Sequence, residues 1–347
     1  MRNCVIGKMR NTIFFLVLSQ SILTYAQQQE IKNLVFEGAG MRGLAYAGVI
    51  EELESNEVID QIERVGGTSA GAITAMMISL GYSSVEIRKI LAETEFQKFN
   101  DGGIKGVSRM KKNFGWFHGD KFTKWVESHL EAKTGNPDIT LLQIYEQGFL
   151  PIYAVATCVN KQELYVLSHE TYPNMKVKDA IRASVSIPLY FQAVFVDQDG
   201  NTYENYEDAD NLDILVDGGI IGNYPIFLFD ETKTTDRREI LRTANPNTLG
   251  FRIDSEQQIK QDSISRKITP QEINGFKGYV AALYNFTMES LNRNQMTDED
   301  WARTVSVSSQ GISPMIKKFS EEDQETLINS GRISTRKFLE DRNLVTN

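Results

Sequence analysis

The chain has 347 residues, 41% of them hydrophobic and 24% charged, with a formal net charge of −9. These proportions suit an ordinary globular chain, and the length suits one large domain or a domain with an appendage. The acidic balance, with no lysine- or arginine-rich stripe, suits non-specific nucleic-acid binding poorly, since that needs clustered cations to neutralise phosphates.

Arg2, Lys8 and Arg10 precede an apolar run over 13–18 that resumes at Ile22 and Leu23. Thr24 and Ala26 then supply small residues at the −3 and −1 positions, so 1–26 reads as a signal peptide cleaved near Ala26. The expectation is export, to a periplasmic or secreted location. The run is broken by Ser19, Gln20 and Ser21 and is too short to span a bilayer. Cleavage leaves Cys158 as the single cysteine, in an apolar stretch that predicts a buried thiol and no internal disulfide.

Leu34, Val35 and Phe36 read as a buried strand that runs into the glycines beginning at Gly38. Helical spacing follows over 44–53. A second short strand over 62–65 ends at Gly66-Gly67, and 70–80 reads as an apolar helix closed by Gly81. Ser83 and Glu86 form a capping box for a helix reaching about Phe99. Asp120 is the expected cap of a helix whose Phe122, Trp125, Val126, His129 and Leu130 share a face. Strands over 151–157 and 164–167 flank a turn at Asn160-Lys161. This alternation predicts a three-layer α/β/α architecture around a mostly parallel sheet.

The stretch 197–213 is rich in carboxylates and has no Lys or Arg. Its Asp197–Asn201 segment has glycine at the fourth position, whereas a helix–loop–helix calcium loop has it at the sixth, so a hairpin turn is the better reading. Further on, Thr269-Pro270-Gln271-Glu272 is a helix start, and Ile273, Phe276, Val280, Leu283 and Met288 line one face. Val305-Ser306-Val307 suits a last strand, and Ser320 with Asp323 opens a final helix.

Three motifs carry chemistry. Gly67-Thr68-Ser69-Ala70-Gly71 is G-x-S-x-G between a strand and a helix, the context in which a sharp turn exposes a serine hydroxyl near a helix N-terminus. Taken alone it also suits a small-residue turn. Gly38-Ala39-Gly40-Met41-Arg42-Gly43 is G-x-G-x-x-G after a strand. A dinucleotide fingerprint needs an acidic residue at the end of the second strand, and that strand ends in Gly66-Gly67-Thr68-Ser69. That disfavours nucleotide binding, and the other use of such a loop is an oxyanion hole of backbone N–H groups. Asp217-Gly218-Gly219 places a carboxylate at the end of an apolar run.

In that order and spacing, G-x-G-x-R-G, G-T-S-A-G and D-G-G resemble the patatin-like phospholipase family. Gly119-Asp120-Lys121, Ala183-Ser184 with Pro188, and Asn223 with Pro225 after the D-G-G fit the same pattern. The resemblance covers 32–227 well and the C-terminal third loosely. It implies a patatin-like catalytic domain over 32–230, followed by a mainly helical C-terminal extension over 231–347 that packs on it. It also implies a Ser–Asp dyad, with Ser69 as nucleophile and Asp217 as proton acceptor, needing no metal, nucleotide or other cofactor. The glycine loop 38–43 would bind the oxyanion. The substrate would be a lipid or phospholipid ester at a membrane or micelle surface.

Chain order agrees, because an α/β-hydrolase triad ends in a late histidine and none follows His169. A non-catalytic lipid-binding or storage protein on the same fold is the alternative, and it has no need of both Ser69 and Asp217. Many members of the family have glycine where Ala39 stands, so Ala39 needs a negative φ. Arg42 suits either a lipid phosphate or orientation of the loop. Phe114, Trp116 and Phe117 beside Lys111 and Lys112 suit interfacial contact or core packing.

Overall fold

A computed structural model describes residues 30–103, 106–234, 240–270, 273–275, 296–316 and 318–345, with the single positions 279, 282, 286 and 293. The expected leader over 1–26 lies outside the described residues, as do Phe276, Val280, Leu283 and Met288 of the expected long helix.

Among the described residues nine strands form the central sheet: β1 (Asn33–Phe36), β2 (Arg64–Thr68), β3 (Ile152–Cys158), β4 (Glu163–Leu167), β5 (Val194–Val196), β6 (Thr202–Tyr203), β7 (Asp213–Asp217), β8 (Thr248–Asp254) and β9 (Thr304–Ser308). Their order is β9-β8-β1-β2-β3-β7-β5-β6, with β4 also paired to β3. The pairs from β9 to β3 are parallel, and those among β3, β4, β5, β6 and β7 are antiparallel. The mostly parallel sheet is therefore mixed, with an antiparallel half.

Helices cover both faces. The side chains of β1 alternate: Leu34 and Phe36 join the main core, and Val35 joins a second cluster with Tyr153, Tyr224, Ile226 and Phe229. The main core is built with α1 (Ala45–Ser55), α2 (Ala70–Ser79), α3 (Ser84–Glu93), α4 (Asp120–Thr134), α5 (Val177–Ser184) and the C-terminal α7 (Glu321–Asp341); a short α6 (Gly219–Gly222) follows β7. Where α1 and α7 cross, a Cβ on Gly48 would lie 1.8 Å from the Ile328 carbonyl oxygen, and one on Gly331 would lie 2.0 Å from that of Ala45. Only glycine permits this backbone contact. The segment from 231 onward thus adds two strands to the sheet, β8 and β9, as well as helices.

Local details differ from the sequence expectation. The Ser83–Glu86 capping box forms, but α3 ends at Glu93 and a separate turn spans Phe96–Phe99. Asp120 is not the cap of α4. Gly119 occupies that position with φ 83°, and Asp101 accepts the N–H groups of Gly119 at 2.7 Å and Lys121 at 3.0 Å. The stretch after β5 is a hairpin. The Asp197 carboxylate accepts N–H groups from Asp199 and Asn201 (both 2.9 Å) and is thereby used by its own turn. Cys158 is buried.

Candidate active site

The sheet register brings Ser69 and Asp217 together. β4 occupies one edge of β3, and β2 and β7 share the other. β2 arrives parallel to β3, and Thr68 pairs with Val155. β7 arrives from the opposite direction, and Asp217 pairs with the next residue, Ala156. Two strands running towards each other therefore end at neighbouring points. Ser69 follows one end, and Asp217 is the other.

Ser69 has φ 52° and ψ −116°, a region costly for any residue with a Cβ. The turn is held from several sides. A Cβ on Gly71 would sit 2.2 Å from the Phe36 carbonyl oxygen, and one on Gly67 would sit 2.6 Å from it, so β1 leaves no room for larger residues. The Ser69 N–H donates to the Ser184 hydroxyl at 3.0 Å, and that hydroxyl donates to the Val155 carbonyl at 2.6 Å. Ser184 is fully buried at the end of α5 and ties the strained turn to β3.

Asp217 is buried, at 6% exposure. Its N–H donates to the Ser186 carbonyl at 2.8 Å, and its Oδ1 accepts the Gly219 N–H at 2.8 Å. Loss of solvation pushes its carboxyl pKa up to about 6; the Gly219 N–H and the Ser69 hydroxyl, which reaches the same carboxylate, oppose that rise. Gly218 opens the turn that follows, and the Thr68 hydroxyl donates to the Gly222 carbonyl at 2.6 Å.

The glycine loop lies beside this pair, but its N–H groups are not all free. Gly38 donates to the Asn223 carbonyl at 2.9 Å, Met41 to the Pro314 carbonyl at 3.0 Å and Arg42 to the Ala39 carbonyl at 3.2 Å. The expected oxyanion set is corrected accordingly. Gly38, Met41 and Arg42 spend their N–H groups on the protein, and those of Ala39 and Gly40 have no acceptor among the described residues. Gly43 packs against Ala70, where a Cβ would come within 2.8 Å of that side chain. Ala39 has φ −130°, so its side chain brings no strain to the loop. The Arg42 Nε donates to the Ala39 carbonyl at 3.4 Å, which orients the loop.

Ser69 opens onto a cavity of about 710 Å³. Its wall is mainly apolar and includes Leu44, Ile73, Leu91, Phe99, Phe122 and Phe191. No histidine lines it. His129 lies 3.1 Å from the Tyr82 hydroxyl, and His169 stacks on Tyr145. Pro314, Met315 and Phe319, from the segment before α7, complete the wall. Sequence reasoning assigned no role to these three, nor to Ser184, Ser186 or Asn223. Ser184 and Asn223 did stand in the family-like motifs, which was the available signal.

A serine at a strand–helix elbow of a mixed sheet, beside a buried carboxylate and an apolar cavity, places the chain among α/β proteins that carry a serine at such an elbow. The family model described as patatin-like phospholipase matches residues 34–230, and the chain belongs to that family. Among curated relatives, it is 31% identical over 214 residues to the uncharacterized protein YqhO of Bacillus subtilis, covering 57% of this chain and 67% of that one. It is 29% identical over 205 residues to the uncharacterized protein R571 of Acanthamoeba polyphaga mimivirus, covering 59% and 63%. It is 26% identical over 197 residues to the probable lipid hydrolase 463L of Invertebrate iridescent virus 6, covering 56% and 62%. The matches thus span roughly two thirds or less of these relatives' length. The crystal structure of VipD from Legionella pneumophila shares the fold, with TM-score 0.58 at 14% identity over 90% of this chain and 67% of that one.

Proposed function

We propose that the protein is a lipid acyl hydrolase that cleaves carboxylic esters through Ser69 and Asp217. The observation that carries the reading is the Ser69 hydroxyl, borne on a strained backbone turn, within reach of a buried carboxylate at the head of an apolar cavity. The Ser69 oxygen bonds to the ester carbonyl carbon as its proton passes to Asp217. The resulting oxyanion takes hydrogen bonds from the N–H groups of Ala39 and Gly40, assisted by the N-terminus of α2. The carbon–oxygen bond to the alcohol breaks, and Asp217 returns the proton to that alcohol. Water then adds to the acyl-enzyme with Asp217 as base, releasing the fatty acid and restoring Ser69.

The cavity is within the size range of sites that bury small ligands, and its wall suits an acyl chain. The substrate is a lipid ester presented by a membrane or micelle, met outside the cytoplasm after cleavage near Ala26. The test is hydrolysis of nitrophenyl esters and phospholipid vesicles, without added cofactor, by wild type, Ser69→Ala and Asp217→Asn. The reading expects activity from the wild type alone. An inert wild type, or an active Ser69→Ala, rejects it.

A further inference from the structure

We infer that Asn223 is a positioning residue that holds the glycine loop in register with Ser69 and Asp217; the inference rests on the acyl-hydrolase reading above. Asn223 takes both backbone groups of Gly38. Its main-chain carbonyl accepts the Gly38 N–H at 2.9 Å, and its side-chain amide donates to the Gly38 carbonyl at 3.0 Å. The same amide lies 3.3 Å from Oε1 of Glu37. Glu37 in turn accepts the Ile253 N–H at 2.9 Å and faces Arg252 at 3.4 Å, which fixes the loop's base to β8.

The next two residues, Ala39 and Gly40, carry the N–H groups assigned to the oxyanion. A rotation at Gly38 swings both. The fit beside Gly38 is close, since a Cβ there would lie 2.4 Å from Oδ1 of Asn223. One residue earlier, Gly222 accepts the Thr68 hydroxyl at 2.6 Å. The turn that begins at Asp217 therefore grips the residue before the nucleophile and the residue before the oxyanion donors. Nucleophile, base and donors are held by one short piece of chain. Misplacing an oxyanion donor costs about 10²-fold in rate, whereas ground-state binding of the acyl chain rests chiefly on apolar side chains of the cavity wall such as Leu91, Phe99 and Phe122.

The test uses Asn223→Ala and Asn223→Asp in the full chain. Aspartate keeps the shape, loses the donor to Gly38 and sets a carboxylate against Glu37. Four quantities are read: kcat and KM on a soluble aryl ester, inhibition by a trifluoromethyl ketone that Ser69 converts to an oxyanion, and binding of the matching alcohol, which forms none. The expected result is a fall of about 10- to 100-fold in kcat and in ketone affinity, with KM and alcohol binding within about twofold. Should Asn223→Ala fail to fold, the isosteric Asn223→Asp carries the same readout. Variants that match the wild type in kcat and ketone affinity overturn the positioning role. So do variants that lose alcohol binding in proportion to kcat. If Ser69→Ala is as active as wild type, the acyl-hydrolase reading has failed, and that outcome is distinct from an Asn223 variant that stays fully active beside an inactive Ser69→Ala.

Discussion

Replacing Asp217 with asparagine is expected to remove activity and stabilise the fold together. The carboxyl is displaced from its ordinary 3.8 to about 6, chiefly by burial. Because the folded value lies above the unfolded one, the native state binds the proton more tightly. The charged form is then a liability that is absent below about pH 4, grows between pH 4 and 6, and is complete above it. The displacement corresponds to about 3 kcal/mol at pH 8. Asparagine keeps the shape and an oxygen for the Gly219 N–H, which lies 2.8 Å from Oδ1. Thermal unfolding of Asp217→Asn at pH 8 should therefore exceed wild type by about 4 °C for a chain of this size. The advantage should vanish at pH 4. Equal melting temperatures across that range would show that no buried charge is strained at this position. Retained ester hydrolysis would show that the base lies elsewhere.

Three further outcomes follow from the same geometry. The base must be ionised, so kcat/KM for a neutral ester should rise about tenfold per pH unit below pH 6 and level off above it; a flat profile between pH 4.5 and 7.5 contradicts the assignment. Ser184→Ala strips the Ser69 N–H of its acceptor and should cost about 1–3 kcal/mol in urea unfolding while lowering kcat; unchanged stability and rate would remove Ser184 from the support of the elbow. Gly48→Ala drives a methyl into the Ile328 carbonyl and should destabilise the fold by about 3 kcal/mol or more, and a urea midpoint like wild type would refute the close crossing of α1 and α7.

What was legible in the sequence was local. The strand-to-turn at Phe36, the elbow at Ser69 and the glycines around it could be read because tight backbone turns demand small residues nearby in the chain. The β3–β4 hairpin was legible from its turn, but the rest of the antiparallel half was hidden because β7 finds its place on the second half of β3, a partner about sixty residues away. β8 escaped notice for a chemical reason. It carries Arg252 and Asp254, both buried, and a charged strand interior does not read as apolar. Those charges are acceptable because Arg252 faces Glu37 and Asp254 meets Arg293 at 2.7 Å, pairings no local pattern announces. The cap of α4 was misassigned for the same reason, since Asp101 reaches it from far along the chain. Gly38 and Met41 were assigned to the oxyanion because a glycine-rich motif does not reveal which of its N–H groups the rest of the fold consumes.

That distinction bears on where the functional unit ends. The family match stops at residue 230, yet β1, which leads into the glycine loop, lies between β2 and β8. A chain ending at 230 would leave β1 as an edge strand with four fully buried residues newly exposed along it. It would also lack Phe319 and Met315 from the cavity wall and the Pro314 carbonyl that accepts the Met41 N–H. The expected outcome for residues 32–230 alone is aggregation or a non-cooperative unfolding curve, together with loss of ester hydrolysis, measured by size-exclusion chromatography, urea titration and the soluble-ester assay. A monomeric, cooperatively folding 32–230 fragment with near-wild-type kcat would refute the view that β8, β9 and α7 complete the site. In this fold Ser69 and Asp217 come from the first two thirds of the chain, and the last third holds the glycine loop beside them.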